Sequence, residues 1–278
     1  MSIYSSDAPG LLDEQIGALV VQPVRLASVA AQVSSVVGTQ SSTFRIPILS
    51  ADADAAWTPE GGEISPDDAE FDELVCTPRK LAGLTVISRE LAEDSSPAAQ
   101  QLVGASIAES IARKLDAAFF GTTVANGPSG LGSVVGVSEV DTGGTITDLD
   151  PFAEAVSKAE VEGALLTSFV MHPTDLLELH KVKKLTGSNE PLLTVDPTQP
   201  ARRSVFGVPL VASAAVTPGT VWGIPAAKVF LVMREGTRLD VDASAFFQRD
   251  SIAVRCTMRV SFGFAHPAAI VKLADLGS

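Results

Sequence analysis

Near the end of the chain, Ile252, Val254, Cys256, Met258, Val260, Phe262 and Phe264 alternate without a break with Ser251, Ala253, Arg255, Thr257, Arg259, Ser261 and Gly263. Side chains along a strand point to opposite faces in turn, so the pattern predicts a strand with one buried and one wet face. From residue 252 to 264 it spans roughly 40 Å at about 3.3 Å per residue, whereas an ordinary strand has about five or six residues. A matching helix is predicted upstream. Ser96 followed by Pro97 is a helix start, with Ser as N-cap and Pro at the first helical position, and Gly121 supplies the stop. The roughly 24 residues between them extend about 36 Å. Val103, Ile107, Ile111, Leu115 and Phe119 recur in steps of four along one stripe, while Glu109 and Arg113 can pair on the wet side. A helix and a strand of equal, large length predict an elongated plate, not a ball.

Residues 11–37 carry Leu11, Leu12, Ile16, Leu19, Val20, Val24, Leu26, Val29, Val33 and Val36 in a loose helical periodicity interrupted at Pro23. Such a broken arm cannot fold alone and must lie on its own subunit or on a neighbour. Phe44, Ile46 and Ile48 then alternate around Pro47 as an edge strand. Between residues 50 and 73 stand nine acids and no base: Asp52, Asp54, Glu60, Glu63, Asp67, Asp68, Glu70, Asp72 and Glu73. The run Trp57-Thr58-Pro59-Glu60-Gly61-Gly62 at its centre predicts a loop tip. Leu74, Cys76 and residues 81–87 resume a strand pattern that could pair antiparallel with the outgoing one. A two-stranded ribbon of that kind is marginal in water and needs a partner surface.

Beyond the glycine-rich residues 121–144, Asp150-Pro151 opens a shorter helix ending near Gly163, followed by a strand at 165–171 and a helix at 174–184. A loop at 186–203 and a strand at 208–212 complete an α/β unit ending around Gly223, and 229–233 is a short, wholly apolar strand.

Hydrophobic residues make up 46% of the 278, enough for a real core, and aromatics only 5%, so that core is built mainly from small side chains. With 20 Lys+Arg against 33 Asp+Glu, the formal charge of −13 repels a phosphate backbone and argues against a nucleic-acid reader. Cys76 and Cys256 form no CxxC motif, and no apolar stretch approaches the roughly 20 residues that span a bilayer. Neither a disulfide framework, a metal site nor a membrane segment is expected. Cys256 falls on the apolar face of the long strand, as a buried core thiol would.

Enzyme motifs are missing. His172, His180 and His266 form no HExxH, and Gly127-Pro128-Ser129-Gly130 lacks the GxSxG spacing. Gly130, Gly132 and Gly136 miss GxGxxG by one residue, and no Gly-Lys dipeptide exists for a phosphate loop. No catalytic residue and no cofactor are therefore assigned.

Several stretches carry a resemblance. Trp57 to Gly62, the run Arg79-Lys80-Leu81-Ala82-Gly83-Leu84-Thr85-Val86-Ile87-Ser88-Arg89-Glu90-Leu91-Ala92-Glu93-Asp94-Ser95, Asp116-Ala117-Ala118-Phe119 and Gly127-Pro128-Ser129-Gly130-Leu131 resemble the corresponding parts of Hong Kong 97-type phage capsid proteins. So do Val170-Met171-His172-Pro173, Phe206-Gly207-Val208-Pro209-Leu210 and the stretch from Val254-Arg255 through Arg259-Val260. The resemblance implies an α+β Hong Kong 97-like capsid fold with an N-terminal arm at 1–43 and an extended β-hairpin loop at 44–80. It further implies a peripheral domain at 81–150 and 224–278, containing the spine helix 97–120, and an axial α/β domain at 151–223.

By the same resemblance, the function is that of a major capsid subunit, with six copies forming hexamers and five forming pentamers of an icosahedral shell. The shell would enclose double-stranded DNA without sequence-specific binding, in a virion assembled in the host cytoplasm with a separate scaffolding protein and a portal. Some members weld their shells through a bond between a loop lysine and an asparagine. Here residues 44–78 contain no Lys, and the asparagines are Asn126 and Asn189, so a shell without crosslinks is expected, held by noncovalent contacts or a cement protein. An encapsulin-like compartment is the alternative that shares this fold. The acidic loop residues Glu60, Glu63, Asp67 and Asp68 are candidates to meet Arg79, Lys80, Arg89, Arg113 and Lys114 of the next subunit, with Trp57 as an aromatic anchor. Arg255 and Arg259 share one face of the long strand and are candidates for the same role or for facing the lumen.

Overall fold

The computed structural model describes residues 22–51, 57–58, 61, 70–88, 97–144, 146–185, 189–193 and 203–274. In chain order the elements are α1 (Gln22–Ala27), α2 (Val29–Val33), β1 (Ser35–Thr39), β2 (Phe44–Ala51), β3 (Glu70–Cys76), β4 (Arg79–Ser88) and α3 (Pro97–Phe120). There follow β5 (Ser138–Asp141), α4 (Asp150–Val161), β6 (Ser168–Met171), α5 (Pro173–Lys181), β7 (Ser204–Val205), β8 (Val208–Ala212) and β9 (Val221–Ile224). The last are β10 (Val229–Phe246), β11 (Ser251–Phe264) and β12 (Val271–Ala274).

The alternating stretch forms β11, whose 14 residues reach about 46 Å. It is central in a four-stranded sheet of order β1-β10-β11-β4. Met258, Val260, Phe262 and Cys256 of β11, with Leu231 and Met233 of β10, form one core with Ile107, Ile111, Leu115 and Phe119 of the 24-residue α3. Phe119 meets Phe262 edge to face, with ring centroids 5.1 Å apart. Strand β10 is far longer than the apolar run 229–233 suggests, at 18 residues. Beyond Met233 the polar stretch Arg234-Glu235-Gly236-Thr237-Arg238 interrupts the apolar run before Leu239 and Val241 alternate with Asp240 and Asp242, and the hydrogen-bonding edge of β11 needs a partner along its whole length, so the strand continues through the interruption. Two register irregularities, between Arg234 and Arg238 and between Asp242 and Phe246, mark that compromise.

The described part of the arm lies on its own subunit. Pro23 is the second residue of α1, where a missing N–H costs nothing, and the predicted arm residues 11–21 lie outside the described residues. The break falls at Ser28, the N-cap of α2. Ser28 donates its hydroxyl to Asp116 Oδ1 of α3 at 2.6 Å, and the backbone N–H groups of Val29 and Ala30 donate to Oδ2 and Oδ1 at 3.0 Å each. One buried carboxylate thus satisfies the open end of a helix 86 to 88 residues away in sequence. Val24, Ala30 and Val33 bury beside it. The chain then enters β1, which pairs in parallel with β10 from Ser35↔Phe230 to Thr39↔Arg234, a strand the helical periodicity did not suggest.

A second sheet of order β5-β12-β9-β6-β8-β7 carries α4 and α5. Its core joins Phe152 and Phe169, edge to face at 5.2 Å, with Leu176, Leu179, Val221, Val271 and Leu273. Strands β5 and β12 belong to this sheet although sequence placed residues 138–141 and 271–274 with the elongated part, because β12 pairs with both β5 and β9. Gly130 allows the chain to cross the end of α3, since a Cβ there would lie 2.1 Å from the carbonyl oxygen of Ala118.

Burial pushes the Asp116 carboxyl above its ordinary value of 3.8, and the hydrogen bonds from Ser28, Ala30 and Val29 pull the other way without cancelling it. A carboxyl with a raised folded-state pKa contributes stability that is present below 3.8 and lost as pH rises through the folded value. Subtracting the stability–pH profile of Asp116→Asn from that of the unassembled wild-type subunit should leave this downward slope. Asp116→Ala should cost about 3 kcal/mol in urea unfolding, because three donors lose a charged acceptor at once.

Candidate functional site: the hairpin base and the cationic sheet face

Strands β2 and β3 form a ribbon by themselves, in register from Phe44↔Cys76 at the base to Ala51↔Glu70 at the far end. The return strand does not continue along it. After Pro78 the chain enters β4, which leaves the ribbon and pairs with β11, because the buried face of β11 offers Leu81 a place beside the main core. The 8-residue β2 runs about 26 Å from the base to Ala51. Arg45 and Glu73 pair at 2.8 Å across the ribbon.

The base is seated on the sheet face opposite α3. Ile46, Cys76 and Val232 bury there, with Phe44, Leu74 and Phe230 packed against them. The contact depends on Gly263: a Cβ at that position would lie 2.8 Å from Cys76 Sγ, 3.1 Å from Ile46 Cδ1 and 3.3 Å from Leu74 Cδ2. Cys76 also donates its S–H to the carbonyl oxygen of Phe262 at 3.5 Å. Burial raises the pKa of the Cys76 thiol, and burial together with the charge of Asp240 pushes Cys256 up to about 11. Both are inert core thiols.

Farther along that face the structure sorts the cations the sequence singled out. Arg255 and Arg259 both point outward from β11 and are exposed. Arg255 is paired at 2.7 Å with Asp240, its cross-strand neighbour on β10. Arg259 stands between Arg234 of β10 and Lys80 of β4, each directly opposite it in register. Arg113 pairs with Glu109 at 3.2 Å along α3. Lys114 lines a groove between α3 and β4 with Leu81, Gly83, Thr85, Ile107 and Ile111. Arg79 is exposed, and so is Trp57. Glu60, Glu63, Asp67, Asp68 and Arg89 lie outside the described residues.

Arg234 was missed by the sequence reading, since it follows an apolar run and looks like the residue that ends it. Only the cross-strand register shows that it extends a row of charge. Strand β4 is the edge of its sheet, and Leu84 and Val86, opposite Arg255 and Ala253, are 62% and 46% exposed. Among the described residues no His/Cys/Asp/Glu group could hold a metal ion, and no helix is long and apolar enough to cross a membrane.

The sequence profile of the Phage capsid family matches residues 10–275. A search of curated protein sequences gives no match. Among solved structures, the capsid of an empty GTA particle superposes with a TM-score of 0.73 at 20% identity, covering 91% of this chain and 90% of that one. A chain of Mycobacterium phage Bobi gives 0.70 at 17% identity over 90% and 91%, and one of Microbacterium phage Oxtober96 gives 0.70 at 16% over 89% and 90%. At these identities the likeness establishes the fold, which is the Hong Kong 97-like fold of those capsid chains.

Seating of the hairpin is testable through the thiols. Gly263→Val should lift Cys76 off the sheet, at an overpacking cost of about 1 to 3 kcal/mol. Mass spectrometry after a short exposure to a thiol reagent should then find Cys76 labelled and Cys256 unlabelled, with neither labelled in the wild type.

Proposed function

The chain belongs to the phage capsid family and is a structural capsid protein, and we propose that its copies join side by side into hexamers and pentamers of a closed icosahedral shell around double-stranded DNA. The observation that carries this reading is the ribbon β2–β3. It leaves the body as two strands alone, with Val75 and Arg45 exposed along it, and a free two-stranded ribbon is marginal in water. Copies alongside supply the missing surface, and a repeated lateral contact that closes on itself gives rings and shells.

The acids Glu60, Glu63, Asp67 and Asp68, the anchor Trp57 and the cations Arg79, Lys80, Arg89, Lys114 and Arg259 are the inter-subunit candidates under this reading. Arg113 and Arg255 already have partners within the chain, which supports them less as first-line contacts. No lysine lies between residues 44 and 78, so the subunits associate without covalent links. Scaffolding, portal and cement proteins are the partners a DNA-filled virion of this design calls for. The acidic balance of −13 suits a container that holds DNA without gripping it.

Electron microscopy of the expressed full chain, alone and with its packaging partners, should show closed particles with fivefold and sixfold capsomers. Boiled in denaturant, those particles should run as single subunits, without a ladder. A protein that stays monomeric under every such condition would overturn the proposal.

A further inference from the structure

A cavity of about 550 Å³ lies between the arm helix α2 and the second sheet, within the size range of small-molecule sites. Val33 of α2 and Leu210 and Val211 of β8 give it apolar walls, and Ser168 of β6 lines it with them. Ser168 is 4% exposed, yet its hydroxyl has no hydrogen-bond partner, alone in this among the buried side chains of the described residues. Its neighbour Thr167, by contrast, donates to the carbonyl oxygen of Ile224 and accepts from the N–H of Ala226. A hydroxyl withdrawn from water and left unmatched is costly, and in a cavity wall it marks a place for a ligand atom.

The second polar feature of the cavity is a cation. Arg203 lines it, is exposed, and takes part in no ion pair among the described residues. Elsewhere Arg45, Arg113, Lys158 and Arg255 each have a carboxylate partner. Among the described residues no other charged side chain lines the cavity, and no aromatic one does.

We propose that this cavity binds a small aliphatic monocarboxylate, with Arg203 holding the carboxylate, Val33, Leu210 and Val211 packing the chain, and Ser168 donating to a ligand oxygen. The chemistry follows from the lining. One guanidinium matches one planar carboxylate through paired hydrogen bonds, whereas a phosphate dianion calls for more positive charge than a single arginine supplies. Walls of Val and Leu without an aromatic ring offer burial but no stacking partner, which selects a saturated chain over a flat ring. An acceptor oxygen gives Ser168 the partner that the chain itself does not. The bound acid touches both α2 and the second sheet, so it ties the arm to that sheet within one subunit, independently of any association between copies.

Octanoate is the probe, and the unassembled full chain is the sample. Calorimetric titration should show saturable one-to-one binding, with NMR shifts at the methyl groups of Val33, Leu210 and Val211. Acetate has the charge without the chain, and octyltrimethylammonium has the chain with the opposite charge; each should bind about tenfold more weakly or worse. Arg203→Ala, at an exposed position, should weaken octanoate roughly tenfold. Ser168→Ala should weaken it about fivefold while the free variant melts at or above the wild-type temperature, a combination that a serine with a purely structural role does not give. Absence of saturable binding up to about 10 mM octanoate overturns the proposal. Equal binding of octyltrimethylammonium overturns it as well, since the cavity is then merely apolar. Octanoate affinity unchanged in both variants does the same, and leaves the Ser168 hydroxyl to water alone.

Discussion

Burial of one face of the β10–β11 pair against α3 is the constraint on which the other parts depend. The strand alternation and the helical stripe have different periods, and they can share one core over their full length only if both elements are straight, long and parallel to the same plane. Phe119 and Phe262 close this contact at one end, and Ile107 with Met258 continues it toward the other. A body made this way is a slab with two unequal faces. One is committed to its own core, and the other is free to receive whatever the chain, or another chain, lays upon it.

Two extended segments are fastened to that slab by opposite means. The arm is held by a polar device, the Asp116 carboxylate accepting from Ser28, Val29 and Ala30. The ribbon is held by an apolar one, Ile46 and Cys76 pressed onto Gly263 with Val232 beneath. A buried charged acceptor is directional, while an apolar seat made possible by a missing side chain is held by non-directional burial and close packing. The arm is thereby fixed to the helix in one geometry. The ribbon is joined to the slab at its base alone among the described contacts.

Individual surface ion pairs contribute about 0 to 1 kcal/mol, so no single charge on the sheet face holds an assembly together. A row of three cations set opposite one another across strands differs from three scattered ones because its members repel one another. The overall negative charge of −13 opposes random association of copies.

Local patterns in the sequence determined the long strand, the 24-residue helix with its proline start and the buried Cys256, because each is written in neighbouring residues by periodicity, capping or composition. The resemblance in residues such as 79–95 and 116–119 carried the fold class with them. Tertiary structure alone decided that Asp116 caps a helix of the arm, that residues 35–39 become a strand, that β10 runs on past Met233, and that β4 abandons the ribbon for the sheet. It alone separated Arg255, already matched by Asp240, from Arg259, and added Arg234 to the row. The physical reason is common to all of these. Hydrogen-bonding edges and buried charges are satisfied by partners tens to hundreds of residues away, and register across strands leaves no trace in the order of residues along one of them.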